Sequence, residues 1–166
     1  LLIREAKRYE VHLLKEQRFI AYKTFKEELS PTHWDRLKSS LVSAHNLQPG
    51  VEVFVAEIGW DIVGSVALYH ANPNTYAADS EILTSPEIRL LAVTPEFRSR
   101  GVGKALVEHC IDISKIRKQQ SIKLQTGCYM KNAIDLYEKM GFKHISSLDF
   151  KPLNDDITIK AFRFDI

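Results

Sequence analysis

The stretch Pro86-Glu-Ile-Arg-Leu-Leu-Ala-Val-Thr-Pro-Glu-Phe-Arg-Ser-Arg-Gly-Val-Gly-Lys104 decides how the rest of the chain is read. It opens as an apolar strand, Glu87 to Val93, turns at Thr94-Pro95, and enters a basic, glycine-spaced loop, Arg98 to Lys104. A long amphipathic helix follows. Strand, basic glycine loop and helix start, in that order, make an anion site. The first N–H groups of a helix have no intrahelical acceptor, and the helix dipole adds about +0.5 charge there. Gly101 and Gly103 let the backbone close on a phosphate where a Cβ would obstruct it.

Outward from this stretch, the pattern predicts eleven elements. Residues 1–4 read as a short strand and residues 7–28 as a helix without Gly or Pro. Ser30 is a good N-cap and Pro31 suits the first position of a second helix, reaching to about His45. Val51–Ile58 and Ile62–Tyr69 form a hairpin about Gly59-Trp60-Asp61. Residues 71–86 are a long polar loop, a kind that is usually functional or mobile. After the 87–93 strand, a helix from Gly101 to about Lys118 carries the apolar stripe Val102, Ala105, Leu106, His109, Cys110, Ile113 and Ile116. Ser121–Thr126 alternates as a strand, and Lys131–Met140 is a helix stopped by Gly141. Phe142–Phe150 and Ile157–Phe164 close the chain as an antiparallel pair. Trp34, Trp60 and Phe25 read as core or pocket lining. The fold expected is α+β: a mixed, mostly antiparallel sheet of about seven strands with about four helices on its faces.

Bulk properties exclude several classes. The 166 residues suit one domain with a real core. A net charge of +2, from 23 basic and 21 acidic residues, gives no support for a nucleic-acid partner. No apolar run is long enough to cross a membrane, and charges break up the opening LLIREAKRYE too early for a signal peptide. Cys110 and Cys128 lack any metal or disulfide spacing and read as free thiols in a reducing, cytoplasmic setting; no metal is expected.

Two phosphate motifs fail against the loop. The P-loop pattern G-x-x-x-x-G-K-[ST] meets Arg98 where its first Gly belongs and Ala105 where its hydroxyl belongs. The dinucleotide pattern G-x-G-x-x-G meets Leu106 at its third Gly. What remains, R-x-x-G-x-G between strand and helix, resembles the pyrophosphate loop of the GNAT superfamily of acyl-CoA-dependent N-acetyltransferases. A second block strengthens the likeness: in Thr126–Phe142, the residues Asn132, Leu136-Tyr137-Glu138 and Gly141-Phe142 resemble the family's later segment, an Asn opening a helix that ends L-Y-E-x-x-G-F. The N-terminal half matches in element order alone.

The resemblance implies a single N-acetyltransferase domain over 1–166, with acetyl-CoA as cosubstrate and a small-molecule or peptide amine as acceptor. It implies a splayed central strand pair, one strand bulged, with pantetheine lying against the backbone of Leu91, Ala92 and Val93. The Leu91 N–H becomes the candidate to polarise the thioester carbonyl. Amides of Arg98, Ser99, Arg100, Gly101, Val102, Gly103 and Lys104 hold the pyrophosphate, and Asn132 bonds on the pantetheine side. Glu87 becomes the candidate general base and Tyr137 the candidate general acid. Cys128 lacks a basic partner for nucleophilic work. The acceptor is expected against the first two helices, the 71–86 loop with Tyr76, Asp79 and Glu81, and the C-terminal strands, which are also compatible with a homodimer. The alternatives are a non-catalytic CoA-binding or interaction module on the same fold, and a nucleotide-binding domain of another family.

Overall fold

The computed structural model describes residues 1–42, 48–71, 84–153 and 155–166. Among them the strands are β1 (Leu2–Glu5), β2 (Val51–Ile58), β3 (Asp61–Tyr69), β4 (Glu87–Val93), β5 (Ser121–Gly127), β6 (Lys143–His144) and β7 (Ile159–Asp165). The helices are α1 (Val11–Lys23), α2 (Pro31–Val42), α3 (Val102–Ile116) and α4 (Lys131–Met140). The strands form one sheet in the order β1-β2-β3-β4-β5-β7-β6. Every pairing is antiparallel except β4–β5.

Both sheet faces are covered, which is why strand residues of both parities are apolar. On β2, Val53 and Val55 bury with Leu14 of α1, while Phe54 and Ala56 bury with Leu106 and Cys110 of α3. The result is three layers: α1 and α2, the sheet, α3 and α4.

Strand β4 departs from this alternation, and the departure builds the site. Ser65 opposes Ala92 and Ala67 opposes Arg89, so Val66 faces two residues, Leu90 and Leu91. Leu90 takes φ +55, which for a leucine costs on the order of 1–3 kcal/mol. The extra residue changes the parity. Ile88 buries in the cluster with α3, whereas Ala92, four residues on, buries in the cluster with α1 and α2. Strand β5 pairs with β4 only at Glu87–Lys123 and Ile88–Leu124, then stays with β7 as far as Gly127–Ile159. The bulge and the splay expected from the resemblance are both present.

Several local expectations need correction. The helix read over 7–28 is α1 flanked by single 3-10 turns at Arg8–Glu10 and Lys26–Glu28. Glu10 folds back to accept the Lys7 N–H at 2.7 Å, and the Thr24 hydroxyl takes the Ala21 carbonyl at 3.1 Å, so side chains compete with helical bonds at both ends. Helix α2 starts as read, with Ser30 Oγ accepting the His33 N–H at 3.1 Å; its end near His45 lies outside the described residues. The 142–150 strand shrinks to β6, a 3-10 turn at Ser146–Leu148 and one bridge from Phe150 to Ile159. Across the gap Asp149 Oδ1 takes the Ala161 N–H at 3.0 Å, replacing a strand carbonyl. Trp60 stands 96% exposed at the β2–β3 tip and is not core. Ile116 is also exposed; Val107, Ile111 and Ser114 complete the buried face of α3 in its place.

Candidate functional site

Two grooves meet beside the bulge. The first, of about 500 Å³, runs from Ser99–Lys104 along Leu91, Ala92 and Val93 to Asn132 and Leu136 on α4. At its loop end Ser99 and Gly101 take φ +61 and +83, which turns successive amides inward. The N–H groups of Ser99 to Lys104 donate to no backbone carbonyl within hydrogen-bonding geometry among the described residues. Six unspent donors at the start of a 15-residue helix fit a polyanion such as a pyrophosphate. Arg100 and Lys104 are exposed beside them, Lys104 within 3.6 Å of Glu108.

The Arg98 side chain is committed elsewhere. Its Nη2 donates to Ala21 O at 2.6 Å, Nη1 to Thr24 Oγ1 at 3.3 Å and Nε to Val93 O at 3.2 Å. It ties the loop and the end of β4 to the last turn of α1. The Tyr22 hydroxyl donates to Leu91 O at 2.8 Å and Gln17 Nε2 to Ala92 O at 3.2 Å. Three consecutive β4 carbonyls are thus met by side chains, and those contacts hold the strained bulge. Arg98→Ala removes three bonds from a charged donor. It should lower unfolding free energy by about 1.5–3 kcal/mol, read as a reduced urea midpoint at unchanged slope.

The second groove, of about 700 Å³, lies between α2, the head of β4, the end of β5 and Phe150–Leu153. Tyr22, Tyr129 and Met130 line both grooves and form the neck between them. Tyr129 needs Gly127, because a Cβ there would overlap its ring. Burial, with Tyr137 and Tyr129 nearby, pushes the Tyr22 hydroxyl far above the usual tyrosine range, so it keeps its proton. Glu87 and Arg89 line the second groove, joined by an ion pair at 2.9 Å, with the Arg89 guanidinium 4.1 Å from the Tyr69 ring centroid. His33 lines it too, its Nδ1 donating to Asp155 Oδ2 at 3.1 Å.

The sequence-expected residues therefore divide. Leu91, Ala92, Val93, Arg98, Ser99, Gly101, Val102, Gly103, Lys104 and Asn132 come together in the first groove; Arg100 is exposed and lines neither groove, and Glu87 lies in the second. Tyr137 stands apart from both linings, 4% exposed, its ring 5.7 Å from Phe142 and 6.3 Å from Phe162. Burial raises its pKa far above the ordinary value. Tyr76, Asp79 and Glu81 lie outside the described residues. Sequence reasoning missed the neck role of Tyr22, which lies within the first predicted helix with no motif about it, and the His33–Asp155 pair, which has no local signal. Among the described residues no three His, Cys, Asp or Glu side chains gather as a metal site would need, and no helix is long and apolar enough to cross a membrane.

A family model described as the acetyltransferase (GNAT) domain matches residues 49–144, more than half of the chain. An uncharacterised N-acetyltransferase of Methanocaldococcus jannaschii is 33% identical over 90 residues, which are 54% of this chain and 38% of that protein. The N-acetylaspartate synthetase of Xenopus tropicalis is 30% identical over 102 residues, 61% of this chain and 34% of that protein. The chain thus spans little more than a third of the length of these curated relatives. The structure of an acetyltransferase of the GNAT family from Staphylococcus aureus superposes with a TM-score of 0.70 over 99% of this chain and 98% of that one, at 21% identity, a likeness of fold.

Proposed function

The chain belongs to the GNAT acetyltransferase family, and from that premise we propose that residues 1–166 act as an acetyl-CoA-dependent N-acetyltransferase on a primary amine. The observation that carries this is the first groove, which runs from the unspent amides of Ser99–Lys104 to the unpaired edge of β4. Its loop amides suit the pyrophosphate, and the edge beyond Ile88 suits the amide-bearing pantetheine arm. Acetyl-CoA supplies an activated acyl group when bound. The Leu91 N–H polarises its carbonyl, Glu87 takes a proton from the attacking amine, and Tyr137 returns one to the leaving thiolate. Supporting Glu87 is its place in the second groove at the head of β4. Supporting Tyr137 is the matched Leu136-Tyr137-Glu138 segment and a hydroxyl that holds its proton. Two free thiols, Cys110 and Cys128, suit a cytoplasmic setting.

Titration with acetyl-CoA and with ATP, then thiol release across amino acids, polyamines and short peptides, tests the reading. Aspartate belongs in the panel because one relative is named for N-acetylaspartate. Expected are acetyl-CoA binding in preference to ATP and thiol release with at least one amine. Preference for ATP would overturn the proposal. The burial of Tyr137 away from the grooves favours a second reading, a CoA-binding module without turnover, which would show as binding with no thiol release.

A further inference from the structure

We propose that His33 and Asp155 form a proton-accepting dyad for the amine in the second groove, a role that rests on the acetyltransferase reading and adds a residue to it. His33 sits in the first turn of α2 with its side chain 9% exposed, and its Nδ1 meets Asp155 Oδ2 at 3.1 Å. Asp155 is itself held in place, its Oδ1 accepting the Ile157 N–H at 3.0 Å and its Oδ2 the Ser30 hydroxyl at 3.4 Å. These bonds, that from His33 foremost, hold its carboxyl below the usual range, so it stays a carboxylate that can only accept. The Nδ1 of His33 therefore donates to it, and Nε2 is the ring nitrogen left to take a proton from an amine. No hydrogen bond to that nitrogen forms among the described residues, and His33 lines the groove.

The reaction calls for a second proton acceptor. An alkylammonium, with a pKa of about 10.4 for free lysine, sheds two protons on becoming an amide, while the departing thiolate takes up one. Glu87 already neutralises Arg89 at 2.9 Å. The first N–H proton passes to His33 Nε2, and the imidazolium so formed faces Asp155. The freed nitrogen lone pair makes the C–N bond as the C–S bond breaks. The second proton passes to Glu87 and Tyr137 protonates the thiolate; of the two protons taken from the amine, one then restores Tyr137 and the other goes to solvent. The other charged or titratable groups lining this groove are Arg36 on α2, Tyr22 on α1, Tyr69 on β3, Glu87 and Arg89 on β4, and Tyr129 after β5. All are common to wild type and variant, so a difference between the two isolates the dyad.

The test is His33→Gln, assayed as kcat/KM for the best amine of the panel at pH 7 and pH 9, beside circular dichroism and acetyl-CoA Kd. A loss of about 100-fold at pH 7 should narrow to under about tenfold at pH 9, where solution supplies more neutral amine. The pair also joins α2 to the C-terminal segment, but losing that link would cost the same factor at both pH values. An equal loss at both, or less than about threefold at pH 7, would overturn the proposal. If His33→Gln does not fold, Asp155→Asn decides in its place: about tenfold loss at pH 7 narrowing at pH 9 supports the dyad, and a pH-independent loss overturns it. A wild type that binds acetyl-CoA yet releases no thiol with any amine ends the acetyltransferase reading and this proposal with it.

Discussion

Glu87→Gln should lower kcat for amine acetylation at pH 7 by about 10²-fold or more, with acetyl-CoA Kd unchanged within about twofold. The substitution keeps the shape of the side chain and an oxygen for Arg89, and removes only charge and basicity. Glu87 is 13% exposed at its side chain, while its partner Arg89 is 50% exposed. An ion pair so open to water is worth about 0–1 kcal/mol, so the variant should melt close to wild type. A hundredfold rate loss corresponds to about 2.7 kcal/mol of transition-state stabilisation. The kinetic effect should therefore stand well clear of the structural one. A variant with full kcat and a lowered Tm would make Glu87 a strut for Arg89, and proton removal would then belong to other groups.

Tyr137→Phe should also lower kcat by about 10²-fold, with little change in donor affinity. The ring lies in the main core beside Phe142 and Phe162, and phenylalanine fills that place without a cavity. Because burial disfavours the phenolate, the folded-state pKa lies above the ordinary value of about 10. The group is thus protonated throughout the assay range and contributes no alkaline limb below about pH 10. The variant should lower the pH–rate profile as a whole and leave its shape unchanged. Full activity from pH 6 to 9 would remove Tyr137 from the chemistry. The nearby Tyr22 hydroxyl is a poor substitute, since its proton is engaged with Leu91 O at 2.8 Å.

The first groove was legible in the sequence because its physics is local. An amide nest needs glycines at set places and a helix start directly after them, and all of these fall within Arg98–Lys104. The bulge was not legible residue by residue. Leucine is a poor choice for φ +55, and Leu90 adopts it because Tyr22 and Gln17, about seventy positions earlier, take the carbonyls that follow. The second groove was harder still. His33 and Asp155 stand 122 positions apart and meet only because α2 and the β6–β7 connection pack together. Strand β6 shrank for a like reason: the Asp149 side chain offers Ala161 an alternative to strand pairing. Trp60 shows the opposite failure. A large apolar side chain reads as core, but a two-residue hairpin turn leaves it nothing to pack against.

The neck of Tyr22, Tyr129 and Met130 straddles a boundary of the family match. The family match ends at residues 49 and 144, so it takes in the Arg98–Lys104 loop, the bulge and the Asn132–Phe142 segment. Tyr22, His33, Arg36, Phe150 and Asp155 all fall outside it. Because the two grooves share only three lining side chains among the described residues, a substitution at Arg36 or Phe150 alters the second without touching the lining of the first. Tyr129 and Met130 fall inside the match and Tyr22 outside it, so the neck is where the domain shared with the family meets a part of the chain that lies beyond it.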